Sequence, residues 1–137
     1  MMVNRLSALS RPELEDGCEC VHPRAVAAAR RLLGSGPEAN HLAAIFGILA
    51  DPTRVRVLTA LRAGELCVTD LAAATGINRT TVSHQLRVLR THRLVRRRRA
   101  GKTVFYAIDD GHVDALLDMA AVHVSEAEGQ ASEERSA

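Results

Sequence analysis

Three cysteines offer the softest metal ligands in this chain, and two of them stand near its beginning. One residue separates Cys18 from Cys20, so two sulfur donors would lie close together on the predicted loose arm. A third thiolate from Cys67 would complete a trigonal site that suits Cd²⁺, Pb²⁺ or arsenite. A fourth donor would come from one of three residues, namely Glu19, His22 or Asp70. The alternative for Cys67 is a small buried apolar side chain.

A second set of ligand types lies along the segment 109–126, which is predicted to be one long helix. It consists of two carboxylates and two imidazoles, namely Asp110, His112, His123 and Glu126. His112 and His123 would share a helix face about 16 Å apart along the axis, so one helix cannot close the site. An antiparallel copy would bring the first pair of one chain to the second pair of the other. This donor set suits Zn²⁺. The alternative is a helix cap at Asp110 and solvated side chains elsewhere.

Basic residues concentrate between positions 79 and 102, a segment without any Asp or Glu. Such a distribution is typical of contact with a polyanion, the alternative being a solvated face. Residues 68–75 form a predicted short helix that ends at Gly76, and Asn78 is the predicted cap of a second helix over 79–90. In the second helix, apolar residues recur at Val82, Leu86 and Leu89 and leave the other face polar. This order predicts a helix-turn-helix.

The polar side chains of that second helix are the predicted readers of DNA. Gln pairs with adenine and Arg with guanine, while Thr and Ser reach bases or phosphates. The candidates are Thr80, Thr81, Ser83, His84, Gln85 and Arg87, of which Ser83 borders the buried stripe. Residues 94–99 and 103–108 are two predicted strands around a turn at Ala100 and Gly101, and this hairpin would lie on the DNA backbone as a wing. Its predicted phosphate contacts are Arg97, Arg99 and Lys102.

Composition predicts the elements that position these residues. The chain has 137 residues, 47% of them hydrophobic but only 2% aromatic, so Ala, Leu and Val must build a mainly helical core. We predict helices over 22–33, 38–49 and from Pro52 to Gly64, with Asp51 capping the third and Val55, Leu58 and Leu61 facing inward. The fold class is therefore mainly α with a small β-hairpin, a dimeric winged helix-turn-helix. The predicted parts are a thiol-bearing arm (1–21), the winged domain (22–126) and a disordered tail (127–137).

Several classes of protein are disfavoured by the sequence. No segment is long and apolar enough to span a membrane, and no signal peptide is visible, so we expect a cytoplasmic protein with reduced thiols. No set of nucleophile, base and orienting group is present, which argues against an enzyme.

The residues as a set resemble the ArsR/SmtB family of metal-sensing repressors, over about residues 38–126. Three strings carry the resemblance, in addition to the D-x-H and H-x-x-E pairs of the last helix: Leu49-Ala50-Asp51-Pro52-Thr53-Arg54, Glu65-Leu66-Cys67-Val68-Thr69-Asp70-Leu71, and Thr81-Val82-Ser83-His84-Gln85-Leu86-Arg87-Val88-Leu89.

The resemblance implies a homodimer that binds an inverted repeat of double-stranded operator DNA and is released by metal, which derepresses a metal-resistance gene. It further implies that Asp110, His112, His123 and Glu126 form the family's zinc site, and that the three cysteines form its cadmium- and lead-preferring thiolate site. Family members with the strongest thiolate site have C-x-C where this chain has Cys67 and Thr69, so three thiolates are the most that this chain offers.

Two other functions stay open at this point. One is a winged-helix regulator that responds to arsenite or a small molecule, or to oxidation of Cys18 and Cys20. The other is a metal-buffering protein without operator function, which would leave the polar helix face unexplained.

Overall fold

The computed structural model describes residues 22–136, and the predicted thiol arm over 1–21, including Cys18, Glu19 and Cys20, lies outside them. Two compact units divide at Leu42. The first holds α1 (Pro23–Ser35) and the start of α2 (Ala39–Leu49). The second holds the rest of α2 and the remaining elements: α3 (Pro52–Leu61), β1 (Leu66–Cys67), α4 (Val68–Thr75), α5 (Arg79–Thr91), β2 (Val95–Ala100), β3 (Thr103–Ile108) and α6 (Gly111–Ser136).

The start of α3 follows the predicted capping pattern. The Asp51 side chain accepts hydrogen bonds from the backbone N–H groups of Thr53 (2.8 Å) and Arg54 (3.2 Å). Pro52 occupies the first turn, where its missing N–H costs nothing. Asp51 and Pro52 together therefore fix where α3 begins.

The core of the second unit lies between α3, α4 and α5. Its completely buried side chains are Val57, Leu58, Leu71, Val82, Leu86 and Leu89. The predicted inward stripe of α5 is thus confirmed. In α3, Val57 is buried in place of the predicted Val55, which is half-buried and lines a groove toward α6. The difference arises because α3 contacts α4 and α5 on one side and borders that groove on another.

The wing is part of a three-stranded antiparallel sheet in the order β1–β3–β2. The predicted hairpin is present, with Gly101 in the left-handed region (φ 61°) at its turn. Strand β1 was not predicted, because its two residues are too few to show a period. In β1, Cys67 pairs with Phe105.

The last helix is longer than predicted. It continues to Ser136, whereas the sequence analysis ends it at Glu126 and predicts a disordered tail over 127–137. The added segment contains no proline and is rich in Ala and Glu, which favour helix. No helix between residues 22 and 136 combines the length and apolar composition needed to cross a bilayer.

A tight turn ends α5 and sets the direction of β2. The Leu94 N–H donates to the Leu89 carbonyl (2.9 Å) and the Arg93 N–H to the Arg90 carbonyl (3.1 Å), which is a Schellman motif. Arg93 occupies its left-handed position with φ 57°, where glycine is the usual residue. Leu89 and Leu94 are both buried in the core beneath the turn.

Arg93→Gly should therefore stabilise the protein. Relief of the left-handed strain exceeds the entropy cost of glycine, so we expect the free energy of unfolding to rise by about 0.5–1 kcal/mol. Urea denaturation at fixed protein concentration measures it. Arg93→Ala, which keeps the strain, is the matched control and should change the value by less than about 0.5 kcal/mol. A lower stability for the glycine variant than for the alanine variant would contradict this assignment.

Candidate nucleic-acid interface and metal sites

The helix-turn-helix is formed by α4 and α5 with a three-residue turn. Gly76 adopts the left-handed conformation (φ 71°) that ends α4. Asn78 then caps α5, its side chain accepting a hydrogen bond from the Thr81 N–H at 2.8 Å. Both predictions, the glycine stop and the asparagine cap, are confirmed.

Two arginines of α3 bind the two helices of this motif. Arg56 donates to the Thr75 carbonyl at the end of α4. Arg54 donates from Nε to the Gln85 side-chain oxygen on α5, at 2.8 Å, and from Nη1 to the Ile48 carbonyl of α2, at 3.1 Å. Arg54 lies in one of the strings that carry the family resemblance, but no role was predicted for it. No periodicity signals such contacts, because they depend on tertiary packing.

The outer face of α5 is polar and exposed. Thr80, His84 and Arg87 follow one another at spacings of four and three residues, so they share the face opposite the buried stripe. Ser83 is also exposed beside them, as predicted. Thr81 is half-buried. These side chains form the surface that an α-helix presents to a major groove.

Gln85 is less accessible to DNA than predicted. It lies three residues after Val82 and four before Leu89, on the flank of the buried stripe. The side chain is half-buried, and its oxygen is occupied by Arg54. The prediction that Gln85 lies off the stripe and remains available differs from the structure, because α3 packs against that flank of α5.

The arginines of the wing divide into two groups by strand alternation. Arg96 donates to the carbonyls of Ile108 and Asp109, and Arg98 binds the Glu65 carboxylate at 2.8 Å while its guanidinium lies 5.1 Å from the Phe105 ring centre.

The Glu65 contact also affects ionisation, because the hydrogen bond from Arg98 lowers the pKa of Glu65. Arg97 and Arg99 belong to the opposite face of β2 and line one depression together with Val104. The predicted phosphate contacts Arg97, Arg99 and Lys102 are all exposed.

One half of the predicted zinc set is assembled at the start of α6. Asp110 Oδ1 accepts from the backbone N–H groups of His112 (2.9 Å) and Val113 (3.4 Å), and it lies 3.3 Å from His112 Nδ1. The side-chain hydrogen bond from His112 is the largest cause that lowers the pKa of Asp110, so this carboxylate is ionised at neutral pH. A carboxylate has lone pairs beyond those used in capping, so capping and metal binding are compatible here.

The other half, His123 and Glu126, lies further along α6 on the exposed surface. Within residues 22–136 of one chain, no three side chains of ligand type converge closely enough to hold a metal ion. The structure therefore brings Asp110 to His112 but does not bring that pair to the second pair. The four donors fit Zn²⁺ chemically only when two chains contribute.

An exposed stripe of α6 with two apolar residues at its middle joins the two halves of the predicted zinc set, and it was not predicted. His112, Leu116, Met119, His123 and Glu126 follow one another at alternating spacings of four and three residues, so they share one face of α6. Met119 is 71% exposed and Leu116 is 37% exposed. The alternating spacing could have revealed this stripe.

The opposite face of α6 packs on its own chain. Val113 is buried and Leu117 packs against the core. Arg62, directly after α3, donates to Asp114 at 2.6 Å and to Asp118 at 3.3 Å, and these hydrogen bonds raise the pKa of Arg62. These contacts orient the stripe that carries His112 and His123 away from the core.

Cys67 lies at the junction of β1 and α4. It is a half-buried free thiol at the N-cap position of α4, and its side chain makes no capping hydrogen bond. Asp70 is exposed in the first turn of α4, three residues later. His22 precedes α1 and is exposed.

Comparison with known proteins agrees with this geometry. Residues 51–97 match the family described as "Bacterial regulatory protein, arsR family". The chain is 47% identical over 91 residues to a transcriptional repressor SmtB homolog of Synechocystis, covering 66% of this chain and 69% of that protein. It is 40% identical over 86 residues to a cadmium resistance transcriptional regulatory protein CadC homolog of Staphylococcus aureus, covering 62% of this chain and 71% of that protein.

Among solved structures, a homodimeric winged helix-turn-helix DNA-binding domain from Mycobacterium bovis superposes with a TM-score of 0.59 at 30% identity. The alignment covers 79% of this chain and 91% of that one. The predicted fold class, mainly helical with a winged helix-turn-helix, is confirmed. The chain belongs to the arsR family of bacterial regulatory proteins.

Proposed function

We propose that this protein is a cytoplasmic transcriptional repressor that binds operator DNA as a homodimer and releases it when a heavy-metal ion binds. The observation that carries the proposal is the exposed polar face of α5, fixed by a buried apolar stripe and flanked by a cationic wing. The similarity of the chain to a transcriptional repressor and to a cadmium resistance regulator supports the same assignment.

The DNA contact follows from the position of these side chains. Thr80, His84 and Arg87 would enter the major groove, with Ser83 and Thr81 at the margins. Arg97, Arg99 and Lys102 would bind phosphates and supply affinity without choosing a sequence. An inverted repeat is the DNA counterpart of a two-fold symmetric dimer.

The two groups of wing arginines should differ in how much their removal changes the salt dependence of DNA binding. Each of Arg97→Ala and Arg99→Ala should weaken binding to all duplexes and lower the salt slope by about one per protomer. Arg98→Ala is the control of equal charge, and its effect should be less than half as large because Arg98 is engaged by Glu65. Fluorescence anisotropy at several salt concentrations measures the slope. An equal loss for Arg98→Ala would contradict the assignment.

The dimer is supported by the symmetry of the exposed stripe on α6. The point midway between Leu117 and Asp118 is equidistant in sequence from His112 and His123, and also from Leu116 and Met119. A two-fold axis through that point would place His112 opposite the partner's His123 and Leu116 opposite the partner's Met119 on an antiparallel copy. An apolar groove of about 630 Å³, lined by parts of α2, α3 and α6, adds further surface that a partner would cover.

Met119→Lys should therefore weaken dimerisation. It would place a charge opposite the partner's apolar stripe, so we expect the dimer dissociation constant to rise at least about tenfold. Sedimentation equilibrium measures it. Met119→Leu conserves volume and polarity, and it should leave the constant within about threefold of the wild-type value. An unchanged constant for Met119→Lys would remove Met119 from the interface.

The same pairing would complete the zinc site. Asp110 and His112 of one protomer would meet His123 and Glu126 of its partner, giving two equivalent sites per dimer. Two imidazoles and two carboxylates supply a four-coordinate nitrogen and oxygen set for Zn²⁺. Bound metal weakens DNA affinity only in so far as it binds more tightly to the conformation that binds DNA poorly.

Complementation between two variants tests the shared site. Asp110→Ala/His112→Ala and His123→Ala/Glu126→Ala should each lose zinc binding as homodimers, because each removes half of both sites. A heterodimer of the two, purified with two affinity tags, retains one complete site and should bind one zinc ion. Isothermal titration calorimetry measures the stoichiometry. Heterodimers that bind no more zinc than the parents would contradict the interchain arrangement.

We further propose that Cys18, Cys20 and Cys67 form a thiolate site for Cd²⁺ or Pb²⁺. The thiol of Cys67 is half-buried and makes no capping hydrogen bond, so it is accessible for such a role. The inducing metal is identified by titrating the DNA complex with Zn²⁺, Cd²⁺, Pb²⁺ and arsenite in wild type, Cys20→Ser and His123→Ala. Loss of response in one variant alone identifies the sensing site. If no ion changes DNA affinity in the wild-type protein, metal control is overturned while DNA binding stands.

A further inference from the structure

Gln85 is the one polar residue of α5 whose surroundings conflict with the role that its type suggests. Glutamine reads adenine through both ends of its amide, which must accept one hydrogen bond and donate another. Here the amide oxygen accepts from Arg54 Nε at 2.8 Å. A guanidinium only donates, so the oxygen of the amide must be the end that faces it. This contact uses one lone pair of the acceptor needed for adenine and holds the amide oxygen against α3.

The position of Gln85 on the helix gives independent support. It shares a face with Val82 and Leu89, which are completely buried, rather than with the exposed residues Thr80 and His84. The Gln85 side chain is half-buried against α3. A base-reading side chain would instead extend from the exposed face.

Arg54 joins this side chain to two other points of the chain. Its Nη1 donates to the Ile48 carbonyl at 3.1 Å, in the last turn of α2, where carbonyls lack partners within the helix. Its Nη2 lies 3.9 Å from the carboxylate of Asp51, which caps α3. The Arg54 side chain is only 21% exposed, so these contacts form in a partly desolvated setting that strengthens them.

We infer that Arg54 and Gln85 are positioning residues, which lock the reading helix to the junction of α2 and α3, and that Gln85 does not read a base. The inference rests on the proposed DNA binding and refines it. Sequence choice then falls to the exposed face, above all to His84 and Arg87. Because α5 is held in a fixed position, those side chains can reach the base edges at a fixed depth.

The test exploits the difference between Glu and Leu at this position. Gln85→Glu keeps an acceptor for Arg54 and removes the amide donor, whereas Gln85→Leu has similar volume and cannot accept. The probe is a duplex that the wild-type protein selects from a random library, compared with a scrambled duplex of equal length. The ratio of the two affinities cancels the uniform repulsion that the added carboxylate brings.

We expect Gln85→Glu to keep that ratio within about threefold of the wild-type value, and Gln85→Leu and Arg54→Met each to lower it at least about tenfold. The double variant Arg54→Met/Gln85→Leu should be no worse than Arg54→Met alone, because Arg54→Met already removes the contact with Gln85. Selection repeated with Gln85→Glu should return the same consensus sequence. This readout requires only the conservative variant, so it holds even where Gln85→Leu fails to fold.

The inference is overturned if Gln85→Glu loses preference as fully as Gln85→Leu, or if its selected consensus changes at one base pair per half-site. Either result would make Gln85 a base reader. Failure of the wild-type protein to select any sequence would instead remove the proposed function itself, so the two failures are distinguishable.

Discussion

The burial of one stripe of α5 determines how the whole interface is arranged. Val82, Leu86 and Leu89 are completely buried against α3 and α4, and this leaves the opposite face of α5 exposed. The six completely buried side chains of the core each contribute about 1.5–3 kcal/mol on burial, whereas each polar contact of the interface contributes less. Apolar burial therefore stabilises the packing of α5 on α3 and α4, and the arginine contacts from α3 fix the position of the helices relative to one another.

The sequence predicts those parts of the structure that repeat along one helix or strand. The α5 stripe, the Asn78 cap and the hairpin are local patterns, and each is found where it was expected. The role of Gln85 was missed because it depends on Arg54, which is 31 residues away in the chain. The division of the wing arginines depends in the same way on Glu65, a residue that precedes the helix-turn-helix.

The candidate metal site shows a different reason for incomplete prediction. Its residue types and spacing are visible in the sequence, and the structure adds that Asp110 caps α6 and contacts His112. In the proposed arrangement the site closes only with a second chain, so neither the sequence nor one protomer contains the complete geometry. Leu116 and Met119 fill the gap between the two halves with exposed apolar surface, which is the feature that argues for a partner rather than for solvated ligands.

The position of α3 links α6 to the helix that bears the exposed polar face. Arg62 at the end of α3 binds Asp114 and Asp118 on α6, while Arg54 at its start binds Gln85 on α5. The rigid helix between them spans only about two to three turns. A shift of α6 that strains the Arg62 contacts must therefore be accommodated either by breaking them or by moving α3, and a movement of α3 changes the setting of the reading helix. Because packed interfaces favour discrete arrangements over gradual deformation, such a path suits a two-state regulator.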